Sequence, residues 1–504
     1  MEHRAFVFTA LCVVAAGCAS NEPAVPSPDA GSAVLRSARR AAAAHTITLD
    51  ARSSGPTVVQ GIYGANLTVG FDFTQSFVNP SLQAAGIRLV RFPGGSLSDV
   101  YHWENGGSLC PHKGSHIAPN ATFDNYMQRV AGPLQLDVAV TLNYGSNQSC
   151  SGGGDPSESA AWATYARQHS YHVSHWTVGN EVYGTWEYDK HSKPHDPATY
   201  SNAVRTGYYP AMKKADGNAQ VGVVVDNPLD TAWNTTVLKA AQPFDFVELH
   251  FYPEYGHESD SVLLGQDVGK LATELSQLRA QMNAAGVPQS VPIYVGEYNN
   301  TAGQEGKQSV SIVNGLFLGQ VLGTLANAGT PMATWWLAYG GCGEQGDFSK
   351  QLYGWQNFGT EGLFSPGIPQ TGCNNAPNIS AGTPFPTARV MALFSSDVPG
   401  GSQVRTTTVP SQLAATVRAF GFAEGNGYAF VLFNNTLAPI GVQAELRNSS
   451  RTKFTATLDT YDKTQYDASK ENRWLGSTHQ SLGSVGTTVP LTLPAYSLTI
   501  LLLK

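Results

Sequence analysis

HWTVGNEVYGTWEYD, residues 175–189, is the stretch on which the reading of the chain turns. An extended run, Trp176-Thr177-Val178, stops at Gly179. Asn180 and Glu181 follow, an amide beside a carboxylate, and then the rings of Tyr183, Trp186 and Tyr188. Strands commonly end in small turn residues. An ending of this kind is either a polar loop with incidental rings or one half of a catalytic pair whose partner lies elsewhere.

Working outward, the same pattern recurs: a short apolar or β-branched run, a Gly/Asn/Pro-rich loop, then a helical stretch. Candidate strands are VVQGIYGANL (58–67), IRLVRF (87–92), LDVAVTLN (136–143) and HWTVGN (175–180), followed by AQVGVVV (219–225), FDFVELHFY (244–252), VPIYVGE (291–297) and PMATWWLAY (331–339). Helical windows such as AAWATYARQ (160–168) and VGKLATELSQLRAQMNAAG (268–286) lie between them. In the second, Leu271, Leu275 and Leu278 recur at helical spacing and Gly286 sits where a C-cap belongs. Eight strands alternating with helices predict a closed (β/α)8 TIM barrel. The competing open, doubly wound sheet lacks a Gly-rich dinucleotide fingerprint after its first strand.

The barrel is expected over 58–395. After PFPTARVMALFSSDVPGG (384–401) the texture changes to short alternating runs such as GYAFVLFNN and LTLPAYSLTILLL, which predict an all-β sandwich over 396–504. The strand-like HTITLDA (45–51) is expected either to add an edge to the barrel or, within 45–57, to join the β domain.

Composition limits the function. The chain has 504 residues, only 13% of them charged, with 52 Gly and 21 Tyr, 9 Trp and 21 Phe. That suits a loop-rich exported protein with aromatic-lined grooves. A net charge of -7 without a basic face excludes nucleic acid as a partner. Residues 1–18 read as a signal segment: Arg4, an apolar run from Ala5 to Ala16, then Gly17-Cys18. VAAGC resembles a bacterial lipobox, which would make Cys18 a lipidation site and anchor the chain at the cell envelope. The alternative is an ordinary cleaved secretion signal. Residues 19–44 read as a flexible linker. Outside the signal remain Cys110, Cys150, Cys342 and Cys373, which predict two disulfides. Three pairings are open, and 110–150 with 342–373 closes the shortest loops. No two of these cysteines have zinc-site spacing, and no metal or cofactor is expected.

Chemistry in such a barrel collects where the C-terminal ends of the strands meet their loops. That rim carries Arg91 on strand 2, Asn143-Tyr144 on strand 3, Asn180-Glu181 on strand 4 and His250 and Tyr252 on strand 6. Glu297 stands on strand 7, and Trp335 and Trp336 on strand 8. Two glutamates at the ends of strands 4 and 7 match glycoside hydrolysis: one carboxyl protonates the leaving oxygen, the other attacks or activates water. Asn180 offers an amide to a sugar hydroxyl, and His250 or Tyr252 could orient Glu297. Trp103, Tyr183, Trp186, Trp335 and Trp336 offer walls to sugar rings.

These segments resemble, in order, those of the α-L-arabinofuranosidases of glycoside hydrolase family 51. The similar phrases are IYGANLTVG, VRFPGGSLSDVYHWENG, LNYGS with AAWATYAR, HWTVGNEVYGTWEYD and VELHFY. The resemblance runs from strand 1 to strand 8. It implies Glu181 as acid/base and Glu297 as nucleophile of a retaining double displacement, with burial and the Glu297 charge raising the Glu181 pKa. The chain departs from the family pattern at Gly296-Glu297-Tyr298-Asn299, where Asp-Glu-Trp-Asn is usual, at Val182-Tyr183-Gly184, and in cysteine-bearing inserts at 105–120 and 340–380. GEYN (296–299) and the FPTARVMALFSSDVPGG helix entering a β-sandwich also resemble families 39, 30 and 79, which include β-xylosidases and β-glucuronidases. A glucuronidase needs a cation for the sugar carboxylate, for which Arg91 and Lys307 are the candidates. A carbohydrate-binding barrel without catalysis would have lost a glutamate, and neither is lost. A metal-dependent hydrolase would need His/Asp clusters at strand ends, whereas His112, His116, His191, His195 and His257 fall mostly in loops. The substrate expected is a polysaccharide or oligosaccharide.

Overall fold

The computed structural model describes residues 45–504 apart from 113, 114, 257, 344, 345 and 371. The signal segment, Cys18, the linker and His257 lie outside the described residues.

Eight parallel strands close into a barrel in chain order: Gly64–Asn66, Leu89–Phe92, Asp137–Leu142, His175–Val178, Val221–Val224, Phe246–Phe251, Ile293–Tyr298 and Ala333–Trp335. Seven lie within their predicted windows and the seventh strand, Ile293–Tyr298, runs one residue past its window of 291–297; all are shorter than predicted, because the windows include residues already in loops. Burial on both faces explains why the runs are nearly continuously apolar. Helices start on recognisable signals. Asp155 caps Pro156–Gln168 by accepting from the Ser157 amide, with Pro156 in the first turn. Val268–Ala284 buries Leu271, Leu275 and Leu278 and ends before Gly286, whose φ of 76° is left-handed.

The β domain is a sandwich. One sheet has six strands, with Gly427–Asn434 and Phe454–Asp462 flanking Ser497–Leu503. The other has four: Thr407–Thr408, Thr46–Asp50, Ile440–Arg447 and Thr488–Leu493. The N-terminal strand therefore belongs to the sandwich and not to the barrel edge, pairing parallel with Ile440–Arg447 and antiparallel with Thr407–Thr408. Ile47 and Leu49 drive this choice, since both point into the inter-sheet core.

Two apolar faces account for the unbroken run Leu498–Leu503. Leu498, Ile500 and Leu502 join the barrel-side core, while Leu501 and Leu503 face the sandwich core. Between barrel and sandwich lies Ile312–Ala328, a helix apolar on every side. Its Gly319 and Gly323 admit Phe433 and Phe420 of the sandwich, because a Cβ there would sit 2.8 and 2.6 Å from those rings. The sandwich thus backs strands 7 and 8 of the barrel.

The disulfides are Cys110–Cys150 and Cys342–Cys373, the shortest-loop pairing. The first ties the loop after strand 2 to the loop after strand 3. The second closes the insert after strand 8.

Candidate active site

Strand 4 ends in an unusual backbone. Gly179 has φ 77° and Glu181 has φ 39°, both left-handed. A Cβ on Gly179 would lie 2.4 Å from Val182, so only glycine fits. The Asn180 amide N–H is caught by Asp99 at 3.2 Å, and Asp99 also receives the Tyr144 and Gly145 amides. This buried carboxylate fixes the turn that presents Glu181. A non-glycine residue at positive φ costs on the order of 1–3 kcal/mol and marks a functional candidate.

Glu297 lies at the end of strand 7, only 4% exposed. Arg91 Nη1 donates to its Oε1 and the Tyr252 hydroxyl to its Oε2, each at 2.7 Å. Glu181 is more open, its side chain 17% exposed. Its Oε1 pairs with His250 Nδ1 and its Oε2 accepts from the Trp186 indole, both at 2.8 Å. His250 Nδ1 is 3.6 Å from Glu297 as well. One oxygen of Glu181 and one of Glu297 approach within 4.8 Å. That belongs with the about 5–5.5 Å separation of retaining pairs and not with the 6.5–9.5 Å of inverting ones.

Beneath both glutamates lies Glu248, which the sequence reading missed. It is fully buried and pairs with Arg91 Nη2 at 3.1 Å and His250 Nε2 at 3.3 Å, while Thr177 donates to its other oxygen. Period two along strand 6 was the available signal: Glu248, His250 and Tyr252 share one face. Asn66, at the end of strand 1, was also missed; its Oδ1 accepts from Arg91 Nη1.

Electrostatics follow from this packing. Both His250 nitrogens face carboxylates, which only accept when ionised, so the ring is an imidazolium. Burial opposes that charge, but Glu297, Glu181 and Glu248 outweigh it and lift the His250 pKa to about 10. Glu248 is held at about 2, burial being overcome by Arg91 and His250. Burial raises the Glu297 pKa despite His250 and Arg91. Glu181 is lowered, the opposite of expectation: the hydrogen bonds from His250 and Trp186 outweigh its burial. The proton expected on Glu181 therefore rests on His250, one hydrogen bond away.

Other predicted residues divide. Asn180 reaches the site, but its amide spans protein groups, accepting from Arg91 at 2.9 Å and donating to Glu187 at 3.0 Å. Glu187, also unpredicted, has its pKa pushed well up by burial and by the Asp99 and Glu181 charges. Tyr183 packs edge-on between Trp186 and Trp233 beside Glu181. Trp336 lies at the mouth over Gly95, where a Cβ would be 2.3 Å from its ring, and donates to Glu361. Burial pushes that carboxyl up to about 8.

Four of the predicted site residues make their contacts with protein groups. Trp103 stacks on Trp162 and bonds the Glu158 carbonyl, on the flank of helix Pro156–Gln168. Trp335 is fully buried against Tyr298. Asn143 ties its loop to the Tyr101 carbonyl and Ser146. Tyr144 is buried against His191. Arg91 is buried beneath the pair, with both of its Nη atoms committed to protein oxygens. Lys307 faces Asp347 at 3.6 Å. Neither cation is placed to receive a sugar carboxylate.

Gly296 explains one departure. A Cβ there would fall 2.3 Å from Glu248 Oε1, so an aspartate at this position is incompatible with the buried glutamate.

Comparison with known proteins bears on this arrangement. No family model matches. Among curated proteins, the intracellular exo-α-(1→5)-L-arabinofuranosidase of Bifidobacterium longum is 25% identical over 226 residues, 40% of this chain and 38% of that one. The chain spans less than half the length of the curated relatives it matches. Among solved structures, the GH51 α-L-arabinofuranosidase of Thermotoga petrophila superposes with a TM-score of 0.68 at 17% identity, covering 91% of this chain and 100% of that one. A Paenibacillus polymyxa xyloglucanase of family 44 follows at 0.64 and 12%, covering 91% and 99%. The fold is the one these proteins share, a (β/α)8 barrel with a C-terminal β domain.

Proposed function

We propose that the chain is a retaining glycoside hydrolase of α-L-arabinofuranosidase type, releasing non-reducing-end sugars from polysaccharide or oligosaccharide. The observation that carries this is the Glu181–Glu297 pair at the barrel mouth, closer than 4.8 Å, with different hydrogen-bond shells on its two members. The arabinofuranosidase relatives and neighbours support the choice of sugar.

Glu297 is the nucleophile. Arg91 and Tyr252 donate to its two oxygens, stabilise the anion and aim one lone pair at the anomeric carbon. Glu181 is the acid/base, working with His250. The proton on His250 Nδ1 crosses the 2.8 Å hydrogen bond to Glu181, which delivers it to the departing oxygen. Glu181 is then the carboxylate that activates water against the glycosyl-enzyme. A β-glucuronidase reading is disfavoured by the burial of Arg91 and the Lys307–Asp347 pair, whereas a β-xylosidase or an endo-acting enzyme would use the same pair on another sugar.

Two disulfides and the N-terminal signal segment support export to the bacterial envelope, lipid-anchored through Cys18 or released. Lipid labelling lost on Cys18→Ala checks the anchor.

A panel of aryl glycosides tests the function, with the arabinofuranoside expected to be turned over best. Glu297→Ala should abolish turnover, and azide should restore it with product of inverted configuration. Azide rescue at a different carboxylate, and not at 297, would overturn the assignment.

A further inference from the structure

A second carboxylate cluster lies outside the catalytic pair, on the loop that leaves strand 6. Glu254, Glu258 and Asp267 each bring an oxygen within 4.8 Å of the others. Asp267 is fully buried at the end of the helical turn Leu263–Asp267, and Glu254 is 4% exposed. Neither oxygen of Glu254 has a well-formed hydrogen bond, although it is sealed from solvent and aimed at Asp267 and Glu258. A buried carboxylate without donors is costly unless a proton or cation completes it.

One cation is nearby. Lys270 Nζ lies 2.6 Å from Asp267 Oδ1, with the lysine 45% exposed, and it also reaches the Pro253 carbonyl. Three carboxylates against one ammonium leave two negative charges uncompensated, which is the charge of one divalent ion. Oxygen-only ligands select a hard cation. A span of up to 4.8 Å suits two Ca–O bonds of about 2.3–2.6 Å better than the tight octahedron magnesium demands.

We propose that Glu254, Glu258 and Asp267 form a calcium site that locks the loop after strand 6 onto the start of the following helix. In the absence of the ion, burial and the Asp267 charge push Glu254 up to about 9, so a proton is the competing occupant. The position gives the site a consequence. Tyr252, two residues before Glu254, donates to Glu297, and the Ala302 amide bonds the Glu254 carbonyl at 3.0 Å. Calcium would thus stiffen the joint between the loops after strands 6 and 7.

The test uses the full chain stripped with a chelating resin. Calcium chloride should raise Tm by several degrees in a saturable, concentration-dependent way, and terbium should bind with sensitised luminescence that calcium displaces. Magnesium at the same concentration should do much less. Glu254→Gln should lose both the Tm rise and the luminescence, and Glu258→Gln, at a half-buried position, should weaken both. Lys270→Met should tighten calcium binding by removing the competing ammonium. Absence of any calcium-dependent Tm shift or terbium signal at about 10 mM in the wild type would overturn the site. A Glu254→Gln variant that folds and keeps the full calcium response would overturn it too. If Glu254→Gln fails to fold, the Lys270→Met and Glu258→Gln affinities decide by the same criterion.

Discussion

The ends of strands 4 and 7 carry the same side chain in different settings. At strand 7 the backbone stays extended, Glu297 is sealed in, and arginine and tyrosine hold its two oxygens. At strand 4 the backbone turns through positive φ at Gly179 and Glu181, and the carboxylate is partly open to solvent between an imidazole and a rim indole. A nucleophile must be ionised and aimed, and fixed donors do both. An acid/base must gain and lose a proton each cycle, so it needs a proton-carrying neighbour and access to water. Burial raises the Glu297 pKa while the imidazolium of His250 lowers that of Glu181, whereas the simplest retaining scheme has the acid's proton already on Glu181. Moving one proton from His250 to Glu181 restores that scheme without moving a heavy atom.

The strand-7 setting breaks first at Arg91. It is the buried cation shared by Glu297 and Glu248, so Arg91→Met leaves two carboxylates without their guanidinium. Removing one partner of a buried ion pair costs about 3–5 kcal/mol. We expect a loss of that order in urea unfolding, together with loss of turnover. Asn66→Ala, which removes only a neutral acceptor of the same guanidinium, should cost far less.

The strand-4 setting breaks differently. Glu181→Ala should slow substrates with poor leaving groups by about 10²–10⁴-fold, while activated aryl glycosides keep a fast first step and stall at deglycosylation. A pre-steady-state burst with the activated substrate checks this. Equal loss on both substrate types would remove Glu181 from the acid role.

Much of this contrast could be read in the residues and part of it could not. The strands were legible because most are apolar, often β-branched runs alternating with Gly/Asn/Pro-rich loops and helical stretches, and Gly179-Asn180-Glu181 stood out as a strand ending in charge. Ring orientation was not legible. Trp335 ends strand 8 and Trp336 follows it, yet the first points into the core and the second to the mouth. Trp103 reads as a groove wall until its stacking on Trp162 is known. Glu248 lies in mid-strand, below the rim where chemistry was sought. Its partner His250 is two residues along the same strand, but Arg91 comes from strand 2, and only barrel closure brings it to strand 6.

The pH dependence sharpens the role of His250. Its pKa in the fold, about 10, lies above the ordinary imidazole value of 6.5, so the fold binds this proton more tightly than the unfolded chain. The resulting stability is complete below pH 6.5 and is lost as pH rises toward 10. Glu248 works in the other direction: held at about 2 against an ordinary 4.5, it contributes above pH 4.5 and its contribution disappears as pH falls toward 2. Melting temperatures should therefore decline on both flanks. His250→Asn should flatten the alkaline flank specifically, and an unchanged alkaline flank would detach His250 from the proton balance.

The smallest effect expected is at Trp186. Its ring is 62% exposed, so it contributes little to the core, and its indole N–H is the second donor to Glu181. Trp186→Phe keeps a ring at the rim and removes only that donor. Losing a donor to the anion makes protonation of Glu181 easier, so the Glu181 pKa should rise, and the alkaline limb of kcat/KM, where the acid loses its proton, should shift toward higher pH. Because the contact faces water, which replaces the lost donor in part, the change in rate should stay within roughly a few-fold. If Trp186→Phe instead costs as much as Glu181→Ala, the indole is holding the acid in place and the open character ascribed to the strand-4 side is wrong. If Trp186→Phe is silent on aryl glycosides but slows oligosaccharides, the ring is a wall for the sugar beyond the scissile bond, and the hydrogen bond is incidental to it.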